Sequence, residues 1–443
     1  MKILHITASY KPAYIYGGPI YSVAALCEAL VKKDWRPKTE VIRQEMKVES
    51  QELNDETESV RKDVLDINVY TTLANGKEEL SYPSGELKVI EGVPVRYFNR
   101  WTKDHSHFSP SLLWYLWKNV KQFEAVHVHA WWNLISMGAV MVCLLKGVKP
   151  IISPRGMLGK YTFSKGKKLF HQIIGRKILS RCTLHATTLM EATEIADALS
   201  LKNHKIEIND LTENQNDKSE GRVLKHISHG EEVEKWDSEK RRTARKSLIQ
   251  IYVIHNLVQL PEVLPKRTRN FDGTLKLLFL SRIHPKKGIE LLLDTLSKLD
   301  FPFKLSIVGD GDKAYIKGLR LKAESLNLTN YVEWFGPKYD DEKFELLASH
   351  DLLVLPSFNE NFGNIVIETL AIGTPVLVSD KVGLHHWISN KRYGYVCSLT
   401  VESMLEQLKK HIKLLKKMPK YSLDGRLNFN PDVVKYLEMY ERV

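Results

Sequence analysis

Two glutamates, Glu360 and Glu368, stand with seven residues between them in the run Glu360-Asn361-Phe362-Gly363-Asn364-Ile365-Val366-Ile367-Glu368. Ahead of them, Asp351 leads into residues 352–355, whose unbroken apolar character is that of a buried parallel strand ending at Pro356-Ser357. Behind Gly363, residues 365–372 read as a short helix closed by Gly373-Thr374-Pro375. Both carboxylates therefore flank a helix N-terminus at the carboxyl end of a strand. Open α/β sheets bind ligands there, because free backbone N–H groups and the helix dipole attract anions. A carboxylate does not hold a phosphate, but it accepts two hydrogen bonds from a vicinal diol, and ribose and hexoses both carry one. The pattern asks for a nucleotide sugar.

Counter-charge for such a ligand stands upstream. Arg282 and Lys287 lie in Ser281-Arg282-Ile283-His284-Pro285-Lys286-Lys287-Gly288, after the apolar run 275–280 and before the helix-like run 289–299. Arginine offers a planar fork for phosphate oxygens and lysine a compact charge. Both suit the phosphates of such a ligand.

The elements that must hold these residues follow one rhythm. In the first half, strand-like runs at 2–7, 67–72, 125–129 and 150–153 alternate with helix-like runs at 19–32, 110–122, 133–145 and 164–179. A second alternation fills 275–378, with strands at 275–280, 304–308, 332–335, 352–355 and 376–378. Valine-, isoleucine- and leucine-rich strands between helices imply parallel sheets covered on both faces. With 443 residues, two domains of roughly 200 residues each are expected. Residues 261–273, rich in proline and charge, read as the linker between them.

Six segments, in order, carry a resemblance. They are Tyr16-Gly17-Gly18-Pro19; His127-Val128-His129; Ser153-Pro154-Arg155-Gly156; His185-Ala186-Thr187-Thr188 with Glu191; and the Arg282/Lys287 and Glu360/Glu368 segments of the second half. Together they resemble the retaining glycosyltransferases of family 4. The resemblance implies the GT-B fold, an α/β architecture of two Rossmann-like parallel-sheet domains facing a cleft. It divides the chain into an acceptor-side domain over 1–260, a donor domain over 274–425, and a closing helix over 426–443 that crosses back to the first domain.

It also implies roles. Arg282 and Lys287 would clamp the donor diphosphate, Glu368 would take the ribose, and Glu360 the donor sugar. Asn361, Phe362, Gly363 and Asn364 would turn backbone N–H groups toward the sugar phosphate. Gly17 and Gly18 would let their loop approach the donor phosphate, His129 would face the donor sugar, and Arg155 the acceptor. The loop Phe335-Gly336-Pro337 would receive the nucleobase. Glu360, His129, Arg282 and Lys287 are thus the expected catalytic set. The reaction would move a sugar from a nucleotide diphosphate to a hydroxyl of a glycan acceptor with retention, in surface polysaccharide or lipopolysaccharide assembly. No resident cofactor or metal is implied, the nucleotide sugar being a co-substrate.

Three local features qualify this picture. Asp310-Gly311-Asp312 has the look of a metal-binding Asp-x-Asp, but after Ile307-Val308-Gly309 it reads as a turn into the next helix. Leu257 stands where the family usually has the glycine of a Pro-Asn-Gly turn, and leucine tolerates φ > 0 poorly. Residues 36–66 and 206–246 are polar and read as surface insertions. A catalytically impaired nucleotide-sugar-binding or scaffolding protein of the same fold is the alternative these departures leave.

Composition bounds the setting. Hydrophobic residues make up 43% and charged residues 27%, which is globular rather than disordered. No run reaches the ~18 apolar residues of a transmembrane helix. The four cysteines are scattered, as expected for reduced thiols in a cytosol. A net charge of +12 favours polyanions. Between 160 and 181, Lys165, Lys167, Lys168, Arg176, Lys177 and Arg181 accompany Leu169, Phe170, Ile173, Ile174 and Ile178. Between 401 and 420, five lysines oppose the stripe Met404, Leu405, Leu408, Ile412 and Leu415. Each segment reads as a helix packed on its apolar face with a solvated cationic face. The first also suits an anionic membrane surface, hence a peripheral place at the cytoplasmic face of an inner membrane and a lipid-linked acceptor. Nucleic acid is not expected as a partner, because no aromatic stacking residues interleave with the basic ones.

Overall fold

The computed structural model describes residues 1–33, 65–199, 205–212, 248–418, 420–422 and 433–443. The chain forms two units, one of Met1–Ala186, Glu194–Leu257 and Asp432–Val443, the other of Thr187–Thr193 and Val258–Pro431.

The first unit is built on a nine-stranded sheet in the order Lys205–Asp210, Leu248–Val253, Thr183–Ala186, Ile151–Ser153, Ala125–His129, Lys2–Ile6, Asp66–Thr72, Val93–Phe98, Leu87–Ile90. All pairs are parallel except the last, a hairpin whose Ile90 and Val93 face each other across Glu91-Gly92. Both turn residues have positive φ, the geometry that matches a tight hairpin to strand twist. Apart from Lys2 the central strands are buried, as parallel strands covered on both faces must be. Helix Gly18–Lys32 starts at Gly17, whose φ of 73° suits glycine, and carries proline in its first turn. Its buried face, with Val23, Leu26, Cys27 and Leu30, shares one core with Tyr436, Leu437 and Tyr440 of the C-terminal helix Val433–Glu441. Lys11, just ahead of the glycine loop, is buried against Glu28 on that helix at 2.5 Å.

The second unit has a six-stranded, all-parallel sheet. Its order is Val332–Phe335, Phe303–Val308, Leu275–Leu280, Leu352–Leu355, Val376–Ser379, Gly394–Cys397. The connections run outward in opposite directions from Leu275–Leu280 and Leu352–Leu355, which pair through Leu277–Leu352 and Leu278–Leu353. The crevice at such a switch point is where doubly wound sheets take their ligands. Both sheets, with helices between most successive parallel strands among the described residues, are Rossmann-like.

Several expectations need correction. Lys205–Asp210 is a strand inside the expected insertion 206–246, with Ile206 and Ile208 alternately buried. Asp66 likewise pairs with Lys2 at the start of a strand, while 36–64 and 213–246 lie outside the described residues. The residues expected as the linker, 261–273, belong to the second unit. Buried Arg267 donates to the carbonyls of Gly373 and His350 at 3.1 Å each, and Thr268–Asn270 pairs with Lys420–Ser422. Leu257 is buried in the core of the first unit and is not among the positive-φ residues, so leucine brings no backbone strain there.

The segment 160–181 also differs from its expected packing. It folds as Lys165–Phe170, a π-helical turn His171–Gly175, and Arg176–Leu179. The change of pitch turns His171, Gly175 and Leu179 inward and leaves Leu169 and Ile173 outward, 58% and 56% exposed. In Val401–Lys417, by contrast, Met404, Leu408, Ile412 and Leu415 are buried as a stripe, and the lysines are solvated.

Candidate functional site

In the second unit, the loops after the two switch-point strands carry the expected donor residues. The loop that carries Arg282 is held through its backbone. It lies flat on the next one, with Ile283 N donating to Asp310 O at 2.8 Å and Ile283 bridging to Gly311. A Cβ at Gly309 or Gly311 would stand 1.9 or 2.0 Å from the carbonyls of Ser281 and Ile283, so only glycine permits the contact. The two aspartates of that segment serve the turn. Asp310 Oδ1 accepts from Gly311 N, and Asp312 caps helix Lys313–Ser325 by accepting from Tyr315 N. Arg282 itself is exposed.

Lys287 ends the short turn Pro285–Lys287, and Gly288 follows at φ 72°. A Cβ at Gly288 would lie 2.1 Å from Pro356 O, and Phe358 N donates to Lys286 O. The lysine loop is thereby locked onto the loop that follows Leu352–Leu355. The Lys287 ammonium is buried and paired with the Glu360 carboxylate. Burial first, then the charges of Lys286, Arg282 and Lys287, lower the His284 imidazole below its ordinary range.

Glu360 is fixed by its backbone, donating to Lys381 O at 3.1 Å and accepting from Gly383 N at 2.8 Å. Asn361 follows half-buried, and Phe362 inserts into the apolar cluster that holds Leu355 and Val366. Gly363, at φ 85°, opens helix Asn364–Ile372, which no side chain caps. Glu368 lies on that helix, half-buried, with its carboxylate 3.0 Å from the Lys343 ammonium of helix Asp340–Ser349. Lys343 is not among the residues read from sequence. No spacing links it to Glu368, since the contact arises only when two helices pack. The loop after Val332–Phe335, expected to receive the base, lies at the sheet edge.

In the first unit, Gly17 and Gly18 have open space where a Cβ would stand. His129 ends strand Ala125–His129 and is 1% exposed. Arg155 follows strand Ile151–Ser153 at φ 55°, a left-handed conformation uncommon for arginine. Its guanidinium donates to Ser22 Oγ at 3.0 Å, Asn256 Oδ1 at 3.1 Å and His129 Nδ1 at 3.2 Å.

Two hydrogen-bond chains run through the buried histidines behind it, and their ends fix the ring tautomers. Arginine only donates, so His129 Nδ1 accepts and its Nε2–H donates to His5 Nδ1 at 3.0 Å. At the other end a carbonyl only accepts, so His185 Nε2–H donates to Ile254 O. His185 Nδ1 then accepts from Ser153 Oγ, which accepts from His127 Nε2–H, leaving His127 Nδ1 to accept from Tyr440 of the C-terminal helix. His5, His127 and His129 bring ring nitrogens within 4.8 Å of one another. These hydrogen bonds already engage all of those nitrogens except His5 Nε2. Burial, more than the Arg155 charge, lowers His5 and His185 to about 3 and holds His129 and His127 well below 6.5. All four rings are neutral at pH 7.

Residues 262–426, which contain Arg282, Lys287, Glu360 and Glu368, match the family model described as glycosyl transferases group 1. An uncharacterized glycosyltransferase of Methanocaldococcus jannaschii is 35% identical over 107 residues, 24% of this chain and 29% of the relative. Alpha-monoglucosyldiacylglycerol synthase of Streptococcus pneumoniae is 32% identical over 127 residues, 28% of each chain. The chain thus matches about three tenths of the length of these curated relatives. The structure of HepE from Anabaena in complex with UDP and glucose aligns with 100% of this chain and 99% of its own, with a TM-score of 0.59 at 15% identity. The fold of both units is that of the GT-B glycosyltransferases.

Proposed function

We propose that this protein is a retaining glycosyltransferase of the GT-B fold that moves a sugar from a nucleotide diphosphate to a hydroxyl of a glycan acceptor. One observation carries the reading. Two cations, Arg282 and Lys287, and two carboxylates, Glu360 and Glu368, stand on paired loops and a helix start at the switch point of a parallel sheet. That set matches the donor's chemistry: cations for the diphosphate, carboxylates for the diols of ribose and sugar.

In this reading the bond between the anomeric carbon and the diphosphate breaks, and the acceptor oxygen bonds to that carbon on the same face. The acceptor's proton passes to the departing diphosphate, whose charge Arg282 and Lys287 stabilise. The reaction proceeds without a metal or resident cofactor. His129 faces the donor sugar and Arg155 the acceptor. Both ring nitrogens of His129 are engaged, so it contacts a sugar hydroxyl through the ring only when Arg155 releases Nδ1.

The acceptor is lipid-linked in this reading, in surface polysaccharide or lipopolysaccharide assembly, and the first unit meets an anionic membrane at the cytoplasmic face. Exposed Leu169, Ile173 and Ile174 beside Lys165, Lys167 and Lys168 support that partner. Exposed Trp114 and Trp117, each with a lysine over its ring at 4.9 and 4.1 Å, support it too. No helix among the described residues is long and apolar enough to cross a membrane.

The test is transfer from a panel of nucleotide diphosphate sugars, with the anomeric configuration of the product read by NMR. Turnover with retention that survives EDTA is expected. Inverted product, or turnover abolished by EDTA and restored by a divalent ion, contradicts the reading.

A further inference from the structure

The chain enters the second unit twice. It leaves the first unit after Ala186, contributes Thr187–Thr193 to the second, and returns at Glu194. Inside this excursion Glu191 is 1% exposed. Its Oε2 accepts from Thr187 N and Thr187 Oγ1 at 2.8 Å each, and from the Asn361 side-chain amide at 3.0 Å. The same amide donates to Thr187 Oγ1 at 2.8 Å, and Thr188 Oγ1 donates to the Asn361 carbonyl at 3.4 Å. Gly383 also presses close, since a Cβ there would lie 2.0 Å from that carbonyl.

Asn361 is thus gripped at its side chain and its backbone. It sits between Glu360, which pairs with Lys287, and Gly363, which opens the helix bearing Glu368. Part of this arrangement is local. Glu191 N donates to Thr188 Oγ1 at 3.2 Å and the Glu191 carboxylate reaches back to Thr187, which is a helix-capping arrangement. Capping alone does not explain why a buried carboxylate also takes the amide of a residue 170 positions away. A buried anion needs several donors, and Asn361 supplies one of them at the cost of its own freedom to turn.

We propose that Glu191 is a positioning residue for the donor site: by holding the Asn361 amide, it fixes the Glu360–Gly363 loop in the geometry that presents Glu360 to the transferred sugar. The inference rests on the glycosyltransferase reading. It predicts that loss of the grip affects handling of the sugar more than binding of the nucleotide, which relies on Arg282, Lys287 and Glu368.

The test uses the full chain with Glu191→Gln, Asn361→Ala and the double variant. Hydrogen exchange of the peptide spanning 360–364 is expected to quicken about tenfold or more in each single variant. The kcat for sugar transfer should fall about 10- to 100-fold, while the Kd for the free nucleotide diphosphate changes less than about threefold. If Glu191 acts through Asn361, the double variant is no worse than the poorer single one. Losses that multiply in the double variant overturn the proposal, as does a change confined to thermal stability with exchange at 360–364 unaltered. Nucleotide binding by the wild type judges the underlying reading separately. If the wild type binds no nucleotide diphosphate, the donor site falls and this role falls with it.

Discussion

Lys287 and Glu360 neutralise each other, so a diphosphate that reaches for Lys287 competes with a carboxylate already there. This gives the two residues opposite signatures. Glu360→Gln should lower transfer at least 100-fold yet leave nucleotide diphosphate binding equal or tighter, because the lysine is released to the phosphate. Lys287→Met should weaken that binding about 10- to 100-fold, the scale of a lost hydrogen bond to a charged group at 1.5–3 kcal/mol. Titration calorimetry on both variants decides it, and equal losses of affinity would contradict the pairing. At this scale the sequence was informative where residue type and spacing reflect one local segment, as in Glu360-Asn361-Phe362-Gly363 or Gly288 after Lys287. It was silent on Lys343 beside Glu368, on His5 behind His129, and on Ser153 between His127 and His185, because those contacts join segments far apart in the chain.

Among elements, the buried parallel strands were readable to within a residue, Ala125–His129 and Leu352–Leu355 among them. The hairpin Leu87–Ile90 and Val93–Phe98 was missed although Glu91-Gly92 is a turn signal. Its outer strand alternates half-buried and exposed residues and lacks the apolar run that marked the others. Segment 165–179 shows the opposite failure. Its apolar periodicity suggested a packed face, but a π-helical turn rotates Leu169 and Ile173 out. That exposed face predicts association with vesicles containing anionic lipid, since each nearby lysine contributes ~1 kcal/mol. Flotation should carry the protein with such vesicles and not with neutral ones. Replacing Leu169, Ile173 and Ile174 by serine should reduce the bound fraction several-fold without lowering nucleotide affinity. Equal flotation of the variant and wild type would remove this face from the membrane account.

At the scale of the molecule, the two-sheet plan was legible because strand and helix alternate twice in the sequence. The double entry of the chain into the second unit was not, since nothing local marks Thr187–Thr193 as leaving its sheet. The first unit also stakes its stability on neutral histidines. His5 and His185, lowered to about 3, stay unprotonated in the fold where the unfolded chain titrates near 6.5. Above that value neither state binds the proton, and stability is flat. Below it the unfolded chain takes protons the fold refuses, so stability falls by roughly 1 kcal/mol per pH unit for each such ring. Melting temperature should therefore hold from pH 7.5 to 6.5 and drop steeply toward pH 5; a flat profile to pH 5 would contradict neutral burial.

The most direct measurement of the donor site is calorimetric titration of UDP, GDP, ADP and CMP into wild type, Lys287→Met and Glu368→Ala, with melting temperature followed in parallel. One nucleoside diphosphate should bind the wild type and, at about 100 times its Kd, add ~2.7 kcal/mol of stability. Both variants should lose most of that response. Binding by none of the four, or binding indifferent to Lys287 and Glu368, would contradict a nucleotide-sugar site at the switch point of the second sheet.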